Sequence, residues 1–133
     1  MGRLSYDGDL AEEINNFCSK NDIKTGWVSV IGALKTVRLG FYDQDRQEYV
    51  FLDDIHSDKP FEISSCSGNI SIKDGKPFAH IHIVASTRDG KCYGGHVMPG
   101  TKIYAGEFMI QVFAGEELIR GVDEITGLPL WQE

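Results

Sequence analysis

Apolar residues recur along this chain with two periods: about 3.6 residues in one stretch and two residues nearly everywhere else. Leu10, Ile14, Phe17 and Cys18 fall at i, i+4, i+7 and i+8, the stripe of an amphipathic helix. Asp9 precedes it and Glu12 follows three residues later, a capping-box-like start. The helix is predicted to end near Asn21, with Glu12 and Glu13 on its solvated face. The remaining pattern is that of strands. Met1 to Tyr6 is a short first strand, and Trp27 to Leu34 a buried one running into a glycine break. Val37 to Asp43 and Glu48 to Leu52 form a hairpin around Asp43-Gln44-Asp45-Arg46. Asp53 to Lys59, polar and ending at Pro60, is a loop. Phe61 to Ile72 is a long strand, bent at Gly68, and Asp74-Gly75 is the next turn.

Thr101 to Ala114 is the last long strand. One face carries Tyr104, Gly106, Phe108, Ile110 and Val112; the other carries Ile103, Ala105, Glu107, Met109, Gln111 and Phe113. A strand apolar on both faces is expected to be central and covered on both sides. In so small a domain the second cover is expected from another subunit. Beyond it, Glu117 to Asp123 carries Arg120, and Thr126 to Trp131 reads as an ordered apolar clamp.

Between these lies the segment that carries chemistry, Phe78 to Val84, with its return Tyr93 to Val97. Alternation puts His80 and His82 on one face and Ile81 and Ile83 on the other, the two histidine Cβ atoms roughly 6.5–7 Å apart. Two imidazoles at that spacing can converge on one ion, and His96 would complete a set of three nitrogens with an open position. Register decides whether His96 reaches them. Arg88-Asp89-Gly90-Lys91 reads as a two-residue Asp-Gly turn, which would pair Ile83 with His96 and point His96 to the wrong face. One extra residue on the return reverses this, because a one-residue slip flips every side chain. A bulge at Gly94-Gly95 would supply it, and a three-residue loop would do the same. The alternative is that His80 and His82 are ordinary half-buried or solvent-facing residues. His56 stands alone in the polar loop and reads as a surface histidine.

Bulk properties narrow the function classes. The chain has 133 residues, 41% hydrophobic and 25% charged, as expected of one globular domain with a real core. No apolar run reaches the length of a membrane span, and no signal-peptide pattern opens the chain, so a cytoplasmic location without membrane attachment is expected. Cys18, Cys66 and Cys92 have no CxxC spacing and read as reduced thiols; Cys92, near the histidines, is expected as a small buried hydrophobe, with a substitute ligand as the alternative. Thirteen basic against twenty acidic residues leave a net charge of −7 with no basic cluster, which disfavours nucleic acid. Glu107 is the lone charge of the last strand. It is the candidate carboxylate to hydrogen-bond a metal-ligating histidine or to act as general base beside a metal, although an isolated strand carboxylate is ordinarily solvated.

The order of segments resembles the plants-and-prokaryotes-conserved (PPC) domain family. The matching stretches are Ser29-Val30-Ile31-Gly32-Ala33-Leu34, Leu39-Gly40-Phe41-Tyr42-Asp43 and Phe61 through Ser71. They continue with Asp74 through His82, then Gly94-Gly95-His96 and Thr126-Gly127-Leu128. The resemblance implies a single α+β domain over residues 1–133, a mainly antiparallel sheet flanked by one or two helices, assembled as a homotrimer. It implies a metal-site trio at His80, His82 and His96, with zinc or another divalent metal. The N-terminus is short against the family pattern, which bears on the first strand. The family also carries a DNA-binding label from plant members with basic AT-hook segments of Arg-Gly-Arg-Pro type. No such segment occurs here.

Three readings follow. The first is a trimeric metalloprotein whose open coordination position serves a small-molecule ligand, its reaction unassigned. The second is a DNA-associated regulatory module lacking an AT-hook. The third is a structural trimerisation domain with the metal as a staple.

Overall fold

The computed structural model describes residues 1–52 and 54–132. Asp53, the first residue of the polar loop, lies outside the described residues. One helix, α1 (Leu10–Lys20), stands where the apolar stripe places it. The Asp9 carboxylate accepts from the Glu12 backbone N–H at 3.3 Å, and Asn21 ends the helix with its own N–H bonded to the Phe17 and Cys18 carbonyls. Leu10, Ile14 and Cys18 are buried.

Ten strands accompany it among the described residues: β1 (Gly2–Leu4), β2 (Gly26–Thr36), β3 (Leu39–Asp43), β4 (Glu48–Phe51), β5 (Phe61–Lys73), β6 (Lys76–Ser86), β7 (Cys92–Val97), β8 (Lys102–Val112), β9 (Arg120–Val122) and β10 (Pro129–Trp131). Eight form one sheet in the order β1-β8-β2-β5-β6-β7-β3-β4, with every pairing antiparallel. The fold is therefore α+β, mostly β, with a single helix among the described residues. Among those residues no helix is long and apolar enough to cross a membrane.

The helix packs on one face of this sheet. Its buried residues join Val28, Val30, Ile70, Ile81, Ile83 and Phe108 in a continuous core. Phe17 meets Phe108 edge to face at 4.8 Å. The Asn15 side-chain oxygen accepts from the Ala79 N–H at 2.8 Å and pins the helix to β6. Burying Ile81 and Ile83 beneath the helix leaves His80 and His82 on the opposite face.

Two expectations about the strands are corrected. β8 is not central: it lies between β1 and β2, one strand from the edge. Nor does it keep strict alternation. Ala33 pairs with Ala105 and Leu34 with Ile103, so Tyr104 is an extra residue. That slip turns Ile103 onto the same buried face as Gly106 and Phe108, and leaves Ala105, Glu107, Met109 and Gln111 exposed. In β5 the irregularity falls between Ile63 and Ser65 rather than at Gly68. Gly68 serves close strand approach instead, since a Cβ there would stand 2.1 Å from the His80 carbonyl oxygen.

The C-terminal segment is the β9–β10 hairpin, held at both ends. On one side the Ile72 N–H donates to the Leu118 carbonyl at 2.9 Å. On the other, the Tyr42 hydroxyl donates to the Thr126 carbonyl and the Gln47 side-chain amide to the Ile125 carbonyl. The hairpin thereby reaches from β5 to β3 and β4, across the strands that carry the histidines.

Candidate metal centre

In β6, Ala79, Ile81, Ile83 and Ala85 are buried, while His80 is half-buried and His82 exposed. Directly across the ladder His96 is the pairing partner of His82. Cross-strand partners share a face, so His96 joins the other two. The register that achieves this is continuous from Ser86↔Cys92 to His82↔His96, without a bulge at Gly94-Gly95. The extra residue lies in the turn. Thr87 accepts from the Gly90 N–H and donates to the Lys91 carbonyl, closing a three-residue loop with Gly90 at φ +83°. Glycine supplies that left-handed backbone without a Cβ penalty. Of the two devices that would bring His96 round, the chain uses the loop.

The three rings form a triangle, with centroids 5.2 Å apart for His80 and His82, 4.9 Å for His80 and His96, and 5.4 Å for His82 and His96. One nitrogen from each lies within 4.8 Å of the others. His80 Nε2 and His96 Nδ1 are buried and have no hydrogen-bond partner. Buried polar atoms are nearly always partnered, so two orphaned nitrogens in rings this close together call for a further species at the site. Burial, assisted by the Arg120 charge and by His82, pushes the His80 pKa down to about 4. Burial, then the His80, His82 and Arg120 charges, pushes His96 down to about 4. Both imidazoles are therefore neutral at pH 7, as metal ligands must be. Tyr49 stacks on His96 with ring centroids 4.6 Å apart and planes at 29°, fixing that ring. Three imidazoles gathered at one partly buried place form a donor set able to hold a metal ion.

Other candidate residues stand elsewhere. Glu107 is exposed on β8, paired with Arg3 of β1 and Ile31 of β2. Three strand spacings separate β8 from β6, roughly 14 Å, so one chain does not bring this carboxylate to the histidines. His56 is exposed in its loop, beside Asp58 and Asp89. Cys92 begins β7, exposed, and is outside the trio. Cys18 and Cys66 are free and buried, and burial pushes their thiols up to about 11 and about 12.

Two neighbours carried no motif in the sequence. Tyr49 arrives because β4 pairs with β3, and β3 with β7. Arg120 arrives on the C-terminal hairpin and, with His80 and His96, lines a cavity of about 250 Å³. The one signal for Arg120 was its isolation as a base between Glu117 and Asp123.

A family model described as the Plants and Prokaryotes Conserved (PCC) domain matches residues 1–114, ending before β9 and Arg120. The crystal structure of the metal-containing protein AF0104 from Archaeoglobus fulgidus is 41% identical, covers 99% of this chain and 91% of its own, and superposes with a TM-score of 0.90. A structure from Bacteroides thetaiotaomicron, of a protein named as a candidate DNA-binding protein, is 25% identical, covers 98% of this chain and 88% of its own, and gives a TM-score of 0.85. Among curated relatives, the bifunctional protein GlmU of Synechococcus sp. (strain JA-3-3Ab) is 30% identical over 103 residues, 77% of this chain. The match spans only 15% of that relative's length.

Proposed function

From the premise that this chain belongs to the Plants and Prokaryotes Conserved domain family, we propose that it is a metalloprotein in which His80, His82 and His96 hold one divalent ion, zinc first among candidates. The observation that carries this reading is the gathering of the three rings, one nitrogen of each within 4.8 Å of the others, with His80 Nε2 and His96 Nδ1 buried and unpartnered. The metal-containing Archaeoglobus relative supports it. Three neutral ligands leave such an ion its full charge and an open position, so when bound it supplies Lewis acidity toward a carbonyl or a water.

The chain's own part is to bind, orient and exclude water. Burial keeps His80 and His96 unprotonated at neutral pH. Tyr49 holds the His96 ring, and the β9–β10 hairpin roofs a cavity suited to a small molecule. Among the described residues, none that lines that cavity is Asp or Glu, so none of them supplies a carboxylate as general base there.

Trp27, Ile31 and Met109 are exposed on β2 and β8, an apolar face of the kind that a second copy covers. Homotrimeric assembly through that face is part of the proposal, and three free cysteines suit a reducing cytoplasm.

Metal analysis of the purified protein tests this reading. Wild type is expected to carry about one ion per chain and His80→Ala much less; equal content in both would overturn it. The Bacteroides relative favours a second reading, a DNA-associated module. A net charge of −7 opposes it. Binding that weakens steeply as salt rises would support that module, because phosphate contacts release counterions. A His80→Ala protein that loses its metal and, with it, only its assembly would support a trimerisation domain.

A further inference from the structure

Arg120 is the most unusual charge in the molecule. Its Nε donates to Ser71 Oγ at 2.7 Å, one terminal nitrogen to the Pro129 carbonyl at 2.6 Å, and the other to Asn69 Oδ1 at 2.7 Å. Ser71 is fully buried. Three bonds fix the plane of the guanidinium, with the Phe78 and Trp131 rings 5.5 and 5.8 Å away. A guanidinium has five N–H donors, so two remain to be satisfied. Among the described residues, no carboxylate lies in salt-bridge contact with it. A half-buried arginine pinned by neutral acceptors, with no counter-ion, is a built site for an anion.

The cavity around it carries the same message. In a chain of net charge −7, this hollow is lined by Arg120 and Lys73 and, among the described residues, by no acid. Phe78, Met98, Leu128 and Leu130 supply apolar wall. At about 250 Å³ it is smaller than a drug-sized pocket and fits a fragment. Two N–H groups left over on the guanidinium are donors for an anion such as a carboxylate.

We propose that this cavity binds a small organic carboxylate, its charged end on Arg120 and its apolar body against Phe78 and Leu128, with His80 and His96 beside it. The inference rests on the metal reading for what the ligand faces, not for what holds it.

Benzoate is the probe, with benzamide as its neutral counterpart and phenyl phosphate as the competing anion. Each is titrated calorimetrically into metal-loaded and chelator-stripped wild type and into Arg120→Gln, with metal content measured in parallel. Benzoate is expected to bind wild type at least ten-fold more tightly than benzamide, with or without metal. Arg120→Gln is expected to lose at least ten-fold in benzoate affinity while keeping its metal content. Failure of benzoate to bind, equal binding of benzamide, unchanged affinity in Arg120→Gln or tighter binding of phenyl phosphate would each overturn the proposal. If Arg120→Gln does not fold, the benzoate–benzamide comparison in wild type decides. A wild type that binds benzoate over benzamide but holds no histidine-dependent metal would sink the metal reading alone.

Discussion

Replacing His96 by Phe should make the metal-free protein more stable than wild type and the metal-loaded protein less stable. His96 Nδ1 is buried without a partner, and leaving such an atom unsatisfied costs about 1–3 kcal/mol. Phenylalanine removes the orphan yet keeps a flat ring against Tyr49, where the stack at 4.6 Å contributes about 0.5–1.5 kcal/mol. The metal-free variant should therefore gain about 1–3 kcal/mol. At about 4 °C per kcal/mol for a chain of this length, its Tm should rise by roughly 4–12 °C. With zinc the sign reverses. An ion present at a thousand times its Kd stabilises the native state by about 4.1 kcal/mol, more than the whole of that gain, and the variant forfeits it. Scanning calorimetry of both proteins, once in chelator and once in excess zinc, gives all four values. A variant that melts below wild type in chelator would refute the orphaned-nitrogen argument. One whose Tm rises with zinc as much as wild type's would remove His96 from the ligand set.

Three further outcomes are expected. Because the native pKa values of His80 and His96 lie near 4, below the ordinary 6.5, the metal-free native state binds fewer protons than the unfolded chain between those limits. Stability should thus be full above about pH 6.5 and decline as pH falls toward 4; a urea midpoint that stays flat across this window contradicts the burial of those rings. Gly68→Ala would put a Cβ 2.1 Å from the His80 carbonyl oxygen and 2.8 Å from Ile81 Cα, which only parting β5 from β6 relieves. It should cost about 1–3 kcal/mol and lower metal content. Gly94→Ala, with its nearest neighbour at 3.4 Å, should do neither. Phe108→Ala, at a position 6% exposed and edge-on to Phe17, should cost about 3–5 kcal/mol by urea unfolding, with metal content unchanged; a loss under 1 kcal/mol would contradict its place in the core.

Much of the fold could be read from local chemistry. Asp9, Glu12 and the Leu10–Ile14–Cys18 stripe mark the helix nearly to the residue, because capping and helical periodicity involve neighbours only. The sharing of a face by His80 and His82, opposite Ile81 and Ile83, follows from strand geometry alone. His96 was harder. Alternation showed that one residue too many had to sit somewhere in the hairpin, and two placements satisfied that count equally. The loop took it because Gly90 adopts the left-handed backbone there, while Gly94 and Gly95 stay in the ladder.

The amino-acid sequence by itself therefore determined the helix and the face that His80 shares with His82, since each of these is set within a few residues by backbone period and capping. Tertiary structure alone decided that β8 lies beside the edge strand, which keeps Glu107 from the trio within one chain. It decided too that Tyr49 stacks on His96, and that Arg120, forty residues beyond His80, swings back over the site on the C-terminal hairpin. Strand order and hairpin docking are settled by which surfaces pack together across long sequence separations, and no local pattern encodes that choice.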